Sequence, residues 1–167
     1  IIDNAFIIPD SQIELKNIEN DLNTKIKNYQ VVNASININN ECENVSPRLF
    51  FEKYGLEKIV LCIGRIEPLK NQVNLLKALE GLQMNVVLEG KMQPYHASYN
   101  IDFHKLIKKN HNFHWIKSIN RKMLFSAYKN AHIVVLPSWA ETAGMTGLEG
   151  GYLECNIVAT KGGACKE

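Results

Sequence analysis

Several features that define membrane, secreted or nucleic-acid-binding proteins are missing from this sequence of 167 residues. No apolar run approaches the roughly 20 residues that a membrane-spanning helix needs. The first residues lack the basic, apolar and small-residue order of a signal peptide. Basic side chains number 19 and acidic ones 17, and no basic block is present that would bind a phosphate backbone. The sequence therefore predicts a soluble, cytoplasmic protein without a nucleic-acid partner.

Cysteine is scarce, and no cluster of metal ligands is evident. The four cysteines include no C-x-x-C pair, and a chain that is 46% hydrophobic has enough core to fold without disulfides. His111 and His114 stand three apart without cysteine or acidic companions. We expect reduced thiols and no metal ion.

Apolar runs of strand length alternate with amphipathic segments from position 55 onward. The predicted strands lie at 59–63, 86–88, 113–116, 132–136 and 157–160, and the predicted helices at 72–82, 101–109, 121–129 and 145–153. Continuous apolar strands separated by helices indicate a parallel sheet that is covered on both faces. The sequence thus predicts an α/β fold, a Rossmann-like doubly wound parallel sheet with the order 3-2-1-4-5.

The ends of the chain suggest a piece of a longer protein. Before position 55 the pattern predicts a strand at 1–8, a helix at 12–22 with Ser11 as its N-cap, a strand at 29–32 and a polar stretch at 35–46. The first residue is Ile1, and the chain stops just after a predicted turn at Gly162 and Gly163. We therefore expect a fragment.

In the predicted order the first and fourth strands are neighbours, so the loops that follow them should form the walls of one crevice. In the loop after the first strand, Gly64 permits a sharp turn, and Arg65 and Lys70 supply two cations that suit a diphosphate. Basic residues in a polar loop are also commonly just solvated, and this alternative stays open.

The loop after the fourth strand leads into a helix. The amides of Gly144, Met145 and Thr146 lie at the start of that helix, where unpaired N–H groups favour an anion. Glu141 precedes the helix and Glu149 lies inside it, and a carboxylate can accept hydrogen bonds from the two vicinal hydroxyls of a ribose. Alternatively, Glu141 only favours the helix dipole and Glu149 is a solvated helix position.

Together the two loops resemble known sequence motifs. The stretch Gly64-Arg65-x4-Lys70-Asn71 resembles the G-R-x4-K-N loop of family 4 (group 1) retaining glycosyltransferases. The block Pro137-Ser138-x2-Glu141-x7-Glu149, followed by Val158-Ala159-Thr160, resembles the E-x7-E region of the same family. The resemblance spans roughly positions 29–167 and includes the intervening order of strands and helices.

The resemblance implies a GT-B enzyme with two Rossmann-like domains, which transfers a sugar from a nucleotide-sugar donor to a glycan or lipid-linked acceptor in polysaccharide biosynthesis. Residues 1–35 would end the acceptor-side domain, 36–54 would form a linker, and 55–167 would be most of the donor-binding domain. The missing amino-terminal domain would provide any peripheral membrane association. The resemblance implies no cofactor, and we expect the fragment alone to be inactive.

The resemblance also implies a role for each site residue. Arg65 and Lys70 would contact the donor diphosphate, Glu141 the transferred sugar and Glu149 the ribose. The amides of Gly144, Met145 and Thr146 would donate to sugar or phosphate, and Gly64 would also belong to the substrate-binding residues. The sequence contains no D-x-D pair, the motif through which another transferase class binds a divalent ion, so we expect no metal at the diphosphate.

Two departures from the family pattern concern the helix that carries Glu149. Gly150 and Gly151 each weaken a helix by about 1 kcal/mol relative to alanine. Glu154 stands where a glycine is expected at the helix end. The donor contacts are retained.

Alternative functions remain open at this stage. An NAD-binding Rossmann protein is suggested by Glu89, which ends the second strand, but the turn after the first strand lacks G-x-G-x-x-G. A sugar-nucleotide epimerase or phosphorylase would present a similar donor face. A non-catalytic binding module is the third alternative.

Overall fold

The computed structural model describes residues 5–38, 42 and 44–162 of the chain. One sheet contains the strands β1 (Ile59–Ile63), β2 (Val86–Glu89), β3 (Phe113–Ile116), β4 (Ala131–Leu136) and β5 (Ile157–Ala159). The helices are α1 (Gln12–Asp21), α2 (Arg48–Tyr54), α3 (Gln72–Ala78), α4 (Ala97–Lys109), α5 (Arg121–Asn130) and α6 (Met145–Tyr152), with a short 3-10 helix at Pro68–Lys70.

The strands are all parallel and lie in the order β3-β2-β1-β4-β5. This confirms the predicted α/β fold and the predicted strand order. The central strand β1 pairs with β2 on one side and with β4 on the other, through Cys62 opposite Leu88 and Leu61 opposite Val134. Because the chain reverses its winding at β1, the loops after β1 and β4 diverge around a crevice at the carboxyl edge of the sheet.

Both faces of the sheet are covered at the central strands β1 and β2, as the continuous apolar strands predict, whereas the edge strand β5 is exposed. Alternate residues of β1 point to opposite faces. Val60 and Cys62 pack against the side chains of α3 and α4, such as Leu76 and Phe103. Ile59 and Leu61 contribute to the second core on the other face, with residues of α2 and α5.

Helix α2 lies inside the segment that the sequence predicts as a linker. Its Phe50 is fully buried in the second core. The amide of Phe50 donates to the hydroxyl of Ser126 in α5 at 2.9 Å, and this hydroxyl donates to the carbonyl of Ser46 at 2.7 Å. The helix ends at Gly55, whose φ of 68° is a left-handed conformation that glycine adopts without steric cost. The segment 48–54 is thus packed as part of the α/β unit.

The amino-terminal segment is simpler than the sequence predicts. The hydroxyl of Ser11 accepts from the amide of Glu14 at 3.0 Å, which confirms Ser11 as the N-cap of α1. The strands predicted at 1–8 and 29–32 are wrong for the described residues, since they reduce to one parallel bridge between Ile7 and Tyr29. Residues 1–4 lie outside the described part of the chain, as do Gly163 and Cys165.

Helix boundaries also differ from the prediction, and α4 begins at Ala97 instead of position 101. Helix α3 ends at Ala78 instead of position 82, because the chain turns at Gly81, which has a φ of 85°. Helix α6 ends at Tyr152, and Glu154, two residues later, adopts a left-handed φ of 58° in the place where a glycine is expected. The amide of Cys155 then bonds to the carbonyl of Gly150 at 2.9 Å and closes the helix end.

Candidate functional site

The structure brings the loops after β1 and β4 together. The amide nitrogen Nδ2 of Asn71 donates to the carbonyl of Pro137 at 3.0 Å. The backbone amide of Trp139 donates to the carbonyl of Leu69 at 2.9 Å. One side-chain and one backbone hydrogen bond therefore join the two loops, as the predicted crevice requires.

Lys70 and Glu141 form the closest charged contact between the two loops. The Nζ atom of Lys70 lies 2.8 Å from both carboxylate oxygens of Glu141. The side chains are 22% and 13% exposed, so the pair is screened less than a surface ion pair. The hydroxyl of Ser138 also donates to Oε1 of Glu141. An ammonium has three N–H donors, so Lys70 keeps one for a further acceptor.

Glycines allow the loop after β1 to lie close against the end of β2. Gly64 has a φ of 149°, and its open side faces the aliphatic stem of Lys70. Gly90, with a φ of 145°, lies directly beneath it: a Cβ atom at Gly90 would be 2.1 Å from the carbonyl oxygen of Gly64. Only glycine fits at position 90 without moving the loop.

Arg65 contacts a carboxylate of its own loop and not Glu141. Its Nη2 atom lies 3.1 Å from Oε1 of Glu67, and its side chain is 62% exposed. Oε1 of Glu67 is buried and accepts no hydrogen bond from the described residues. Its contact with the Arg65 guanidinium is therefore an ion pair without a well-aligned hydrogen bond. The structure therefore places Arg65 in the same loop as Lys70 but does not bring it to Glu141.

A buried amide that the sequence analysis missed holds the loop in shape. Gln72 is 1% exposed, and its Nε2 donates to the carbonyl of Arg65 at 2.7 Å. Its Oε1 accepts from the hydroxyl of Tyr99 at 3.0 Å. Burial raises the pKa of Tyr99, so the hydroxyl remains a donor. Gln72 follows the G-R-x4-K-N motif directly, but sequence spacing alone gives no signal that its amide is buried.

The start of helix α6 faces the crevice from the β4 side. Gly144 is its N-cap, with a φ of 59°. Met145 and Thr146 are the first helical residues, and amides at these positions have no partner inside the helix. The structure thus places the three residues predicted to donate amides together at one helix end, where Met145 is exposed and Gly144 and Thr146 are partly buried.

Glu149 is a buried residue and not the solvated helix position of the alternative interpretation. It is 8% exposed. Its Oε2 accepts from the hydroxyl of Tyr128 at 2.9 Å, and its Oε1 lies 3.2 Å from Nη1 of Arg121. Burial, followed by the charge of Glu149, raises the pKa of Tyr128 and keeps its hydroxyl protonated. Tyr128 and Arg121 are partners of this carboxylate that the sequence motifs do not predict.

Two further titratable groups lie near the carboxyl edge of the sheet. Burial raises the pKa of the Cys62 thiol to about 12, although Lys70 acts in the opposite direction. Cys62 is therefore a neutral core residue beneath the ion pair. Burial also raises the pKa of Glu89, and the backbone amide of Ile119 partly offsets this.

The described residues contain neither a metal-binding cluster nor a membrane-spanning helix. Within positions 5–38, 42 and 44–162, no group of three or more His, Cys, Asp or Glu side chains lies close enough to bind a metal ion. None of the helices in these same ranges has the length and apolar character needed to cross a bilayer.

Comparison with known proteins identifies one matching family. The model of the family described as "Glycosyl transferases group 1" matches residues 48–167. No curated protein sequence matches the chain.

Solved structures share the fold at low sequence identity. Sucrose-phosphate synthase from Thermosynechococcus elongatus has a TM-score of 0.81 and 20% identity, over 99% of this chain and 43% of that one. HepE from Anabaena, in complex with UDP and glucose, has a TM-score of 0.81 and 16% identity, over 96% of this chain and 46% of that one. The C-terminal domain of a glycosyl transferase group 1 family protein, LpcC from Francisella tularensis, has a TM-score of 0.62 and 22% identity, over 73% of this chain and 68% of that one. The chain thus spans less than half the length of the first two proteins.

Proposed function

Because this chain belongs to the group 1 glycosyltransferases, we propose that it supplies the donor site of a retaining enzyme that transfers a sugar from a nucleotide-sugar. The observation that carries the proposal is the ion pair between Lys70 and Glu141, which joins a cation and a carboxylate from loops 71 positions apart. A diphosphate sugar needs both chemistries at one place: cations for the phosphates and a hydrogen-bond acceptor for the sugar hydroxyls.

The diphosphate would lie against Lys70 and Arg65. The N–H of Lys70 that Glu141 does not occupy is available to a phosphate oxygen. Arg65 is exposed and bound only to Glu67, so its guanidinium can turn from that carboxylate to the diphosphate. Both cations would stabilise the negative charge that develops on the leaving group, without a metal ion or other cofactor.

The transferred sugar would lie near the start of α6, and the ribose would lie beside Glu149 within the helix. Glu141 would accept hydrogen bonds from the sugar, and Gly64 would let the donor approach the backbone closely. The amides of Gly144, Met145 and Thr146 would donate to sugar or phosphate. Glu149 would accept from the ribose hydroxyls, since Oε1 contacts Arg121, Oε2 accepts from Tyr128, and each oxygen has a second lone pair.

The donor class is supported by structures of similar fold. HepE from Anabaena was solved with UDP-glucose, with a TM-score of 0.81 to this chain. We propose a nucleotide-sugar as the donor and a glycan or lipid-linked saccharide as the acceptor. The proposed division of the chain is an acceptor-side domain ending at 35, a linker at 36–54 and a donor domain from 55, although α2 packs with the donor domain.

Product analysis tests this function directly. A protein that joins this chain to an acceptor-side domain is incubated with UDP-, GDP- and ADP-sugars and a panel of saccharide acceptors. We expect transfer of the sugar with its anomeric configuration retained, whereas the chain alone binds nucleoside diphosphate in roughly the millimolar to micromolar range and transfers nothing. Isomerised donor without transfer would instead indicate an epimerase, and sugar phosphate formed from glycan would indicate a phosphorylase.

A further inference from the structure

Arg121 touches three parts of the molecule at once. It is the first residue of α5, and its Nη1 lies 3.2 Å from Oε1 of Glu149 in α6. Its Nη2 donates to the backbone carbonyl of Asn37 at 2.6 Å. One guanidinium therefore connects the carboxylate predicted to bind ribose with the segment predicted to be the linker between domains.

The guanidinium of Arg121 lies over an aromatic ring of its own helix. Its Cζ atom lies 5.0 Å from the centre of the Phe125 ring, and Phe125 is fully buried. The helix that carries Arg121 is capped, since the side chain of Asn120 accepts from the amide of Met123 at 2.8 Å. Arg121 thus starts from a capped helix end and lies over a buried ring, and its N–H groups contact Glu149 and Asn37 without a bound ligand.

Glu149 is held from two sides by this arrangement. Arg121 lies beside Oε1, and Tyr128 donates to Oε2 at 2.9 Å. Each oxygen then has one lone pair left, and the two lone pairs belong to a carboxylate that cannot rotate freely. Two vicinal hydroxyls are the donors that match two neighbouring acceptors of fixed direction.

We propose that Arg121 is a positioning residue that holds the Glu149 carboxylate in the orientation that recognises the vicinal hydroxyls of the donor's ribose. This proposal rests on the proposed function, because it assumes that a ribonucleoside diphosphate binds at Glu149. It adds a specificity determinant outside the two motif loops: discrimination between ribose and 2′-deoxyribose depends on a residue that follows β3.

The test measures a ratio of affinities. Calorimetric titration with UDP, GDP and ADP first identifies the nucleotide that binds the chain most tightly, and the same titration is then made with its 2′-deoxy counterpart. The dissociation constant of the deoxy form divided by that of the ribo form is compared for wild type, Arg121→Ala and Arg121→Lys. We expect the ratio to fall at least about fivefold in Arg121→Ala, because a hydrogen bond from a hydroxyl to a correctly oriented charged group is lost.

Two further variants separate positioning from a general structural effect. Lys122→Ala removes the neighbouring exposed lysine of the same helix and should leave the ratio unchanged. The double variant Arg121→Ala with Glu149→Gln should have the same ratio as Glu149→Gln alone, because both substitutions disrupt the same interaction between Glu149 and the ribose. Arg121→Lys keeps the positive charge but lacks the paired N–H groups of the guanidinium. Its ratio should therefore lie between those of wild type and Arg121→Ala.

The outcomes distinguish the two proposals. If no nucleoside diphosphate binds the wild-type chain, the proposed function fails. If wild type binds and prefers ribose, but Arg121→Ala weakens both nucleotides equally and leaves the ratio unchanged, the positioning role of Arg121 is overturned and the proposed function stands. A wild-type chain that binds both forms equally also overturns the positioning role.

Discussion

The ammonium of Lys70 lies 2.8 Å from both carboxylate oxygens of Glu141, although the two residues are 71 positions apart in the chain. The pair joins the loop after β1 to the loop after β4. These two strands are neighbours, and between them the order in which the chain adds strands to the parallel sheet reverses. In the absence of a donor each charge neutralises the other. We infer that a bound diphosphate sugar takes up the remaining donors and acceptors of the same pair.

The interaction between Lys70 and Glu141 should be measurable as a coupling energy. Because both side chains are largely buried, removing one partner leaves a poorly solvated charge, and a double-mutant cycle with Lys70→Ala and Glu141→Gln should give about 1–3 kcal/mol in urea unfolding. The matched control is the exposed pair of Lys105 and Asp102, 3.8 Å apart, which should give a coupling of about 0–0.5 kcal/mol. Equal coupling in the two cycles would contradict the burial that we assign to the first pair.

Turnover should depend on both loops. In the enzyme that contains this chain, Glu141→Gln and Arg65→Ala should each lower kcat/KM by at least about tenfold, since each removes a contact to the reacting part of the donor. Initial rates with saturating acceptor measure the effect, and Lys77→Ala, in α3, serves as a control. Unchanged kinetics in both variants would remove these residues from the mechanism.

Two glycines should respond to alanine in opposite directions. Gly90→Ala should destabilise the protein by more than about 2 kcal/mol, because its Cβ would lie 2.1 Å from the carbonyl oxygen of Gly64. Gly151→Ala should stabilise it by about 0.5–1 kcal/mol, because the added Cβ has only the Ile157 side chain at 3.9 Å and the helix gains propensity. Thermal unfolding of both variants checks the prediction, and a stable Gly90→Ala protein would mean that the loop after β1 is not packed on β2.

Stability should depend on pH through Glu89. Burial raises the pKa of this carboxyl in the folded state above its unfolded value, so the unfolded chain loses the proton first. The contribution of Glu89 to stability is therefore greatest below the unfolded pKa and is lost as the pH rises through the raised folded pKa. Glu89→Gln should increase the free energy of unfolding at pH 7 relative to wild type, and the difference should shrink toward pH 4. Glu52→Gln, at an exposed position of α2, is the control, and a difference that grows on acidification would contradict the raised pKa.

The sheet was predictable because its signals are local. The strands at 59–63 and 113–116 begin and end where their apolar runs do, and the parallel order follows from their alternation with helices. That order places the loops after β1 and β4 side by side. The strand order alone therefore predicts that Lys70 and Glu141 lie close together. The amino-terminal strands were wrong because an apolar run such as 5–8 pairs only if a partner strand is in register, and here one bridge at Ile7 is formed.

The partners of the site residues were not predictable in the same way. Tyr128 and Arg121 reach Glu149 because α5 and α6 pack with a particular rotation, and spacing along either helix does not specify this. Gln72 directly follows the motif after β1. This motif predicts a cation in the loop, but it does not indicate that the side-chain amide of Gln72 is buried. Sequence motifs thus identified the groups that would touch a donor, whereas the residues that orient them required the packed structure.

The central claim, that the loops after β1 and β4 form one nucleotide-sugar site, is tested most directly by nuclear magnetic resonance of the 19.0 kDa chain. Amide shifts are followed during titration with UDP, GDP, ADP and, as a control, NADH. The account predicts saturable shifts from a nucleoside diphosphate at Gly64, Gly144 and Thr146 in wild type, and much weaker ones in Lys70→Ala. Shifts from NADH alone, or nucleotide-induced shifts confined to residues outside these two loops, would contradict it.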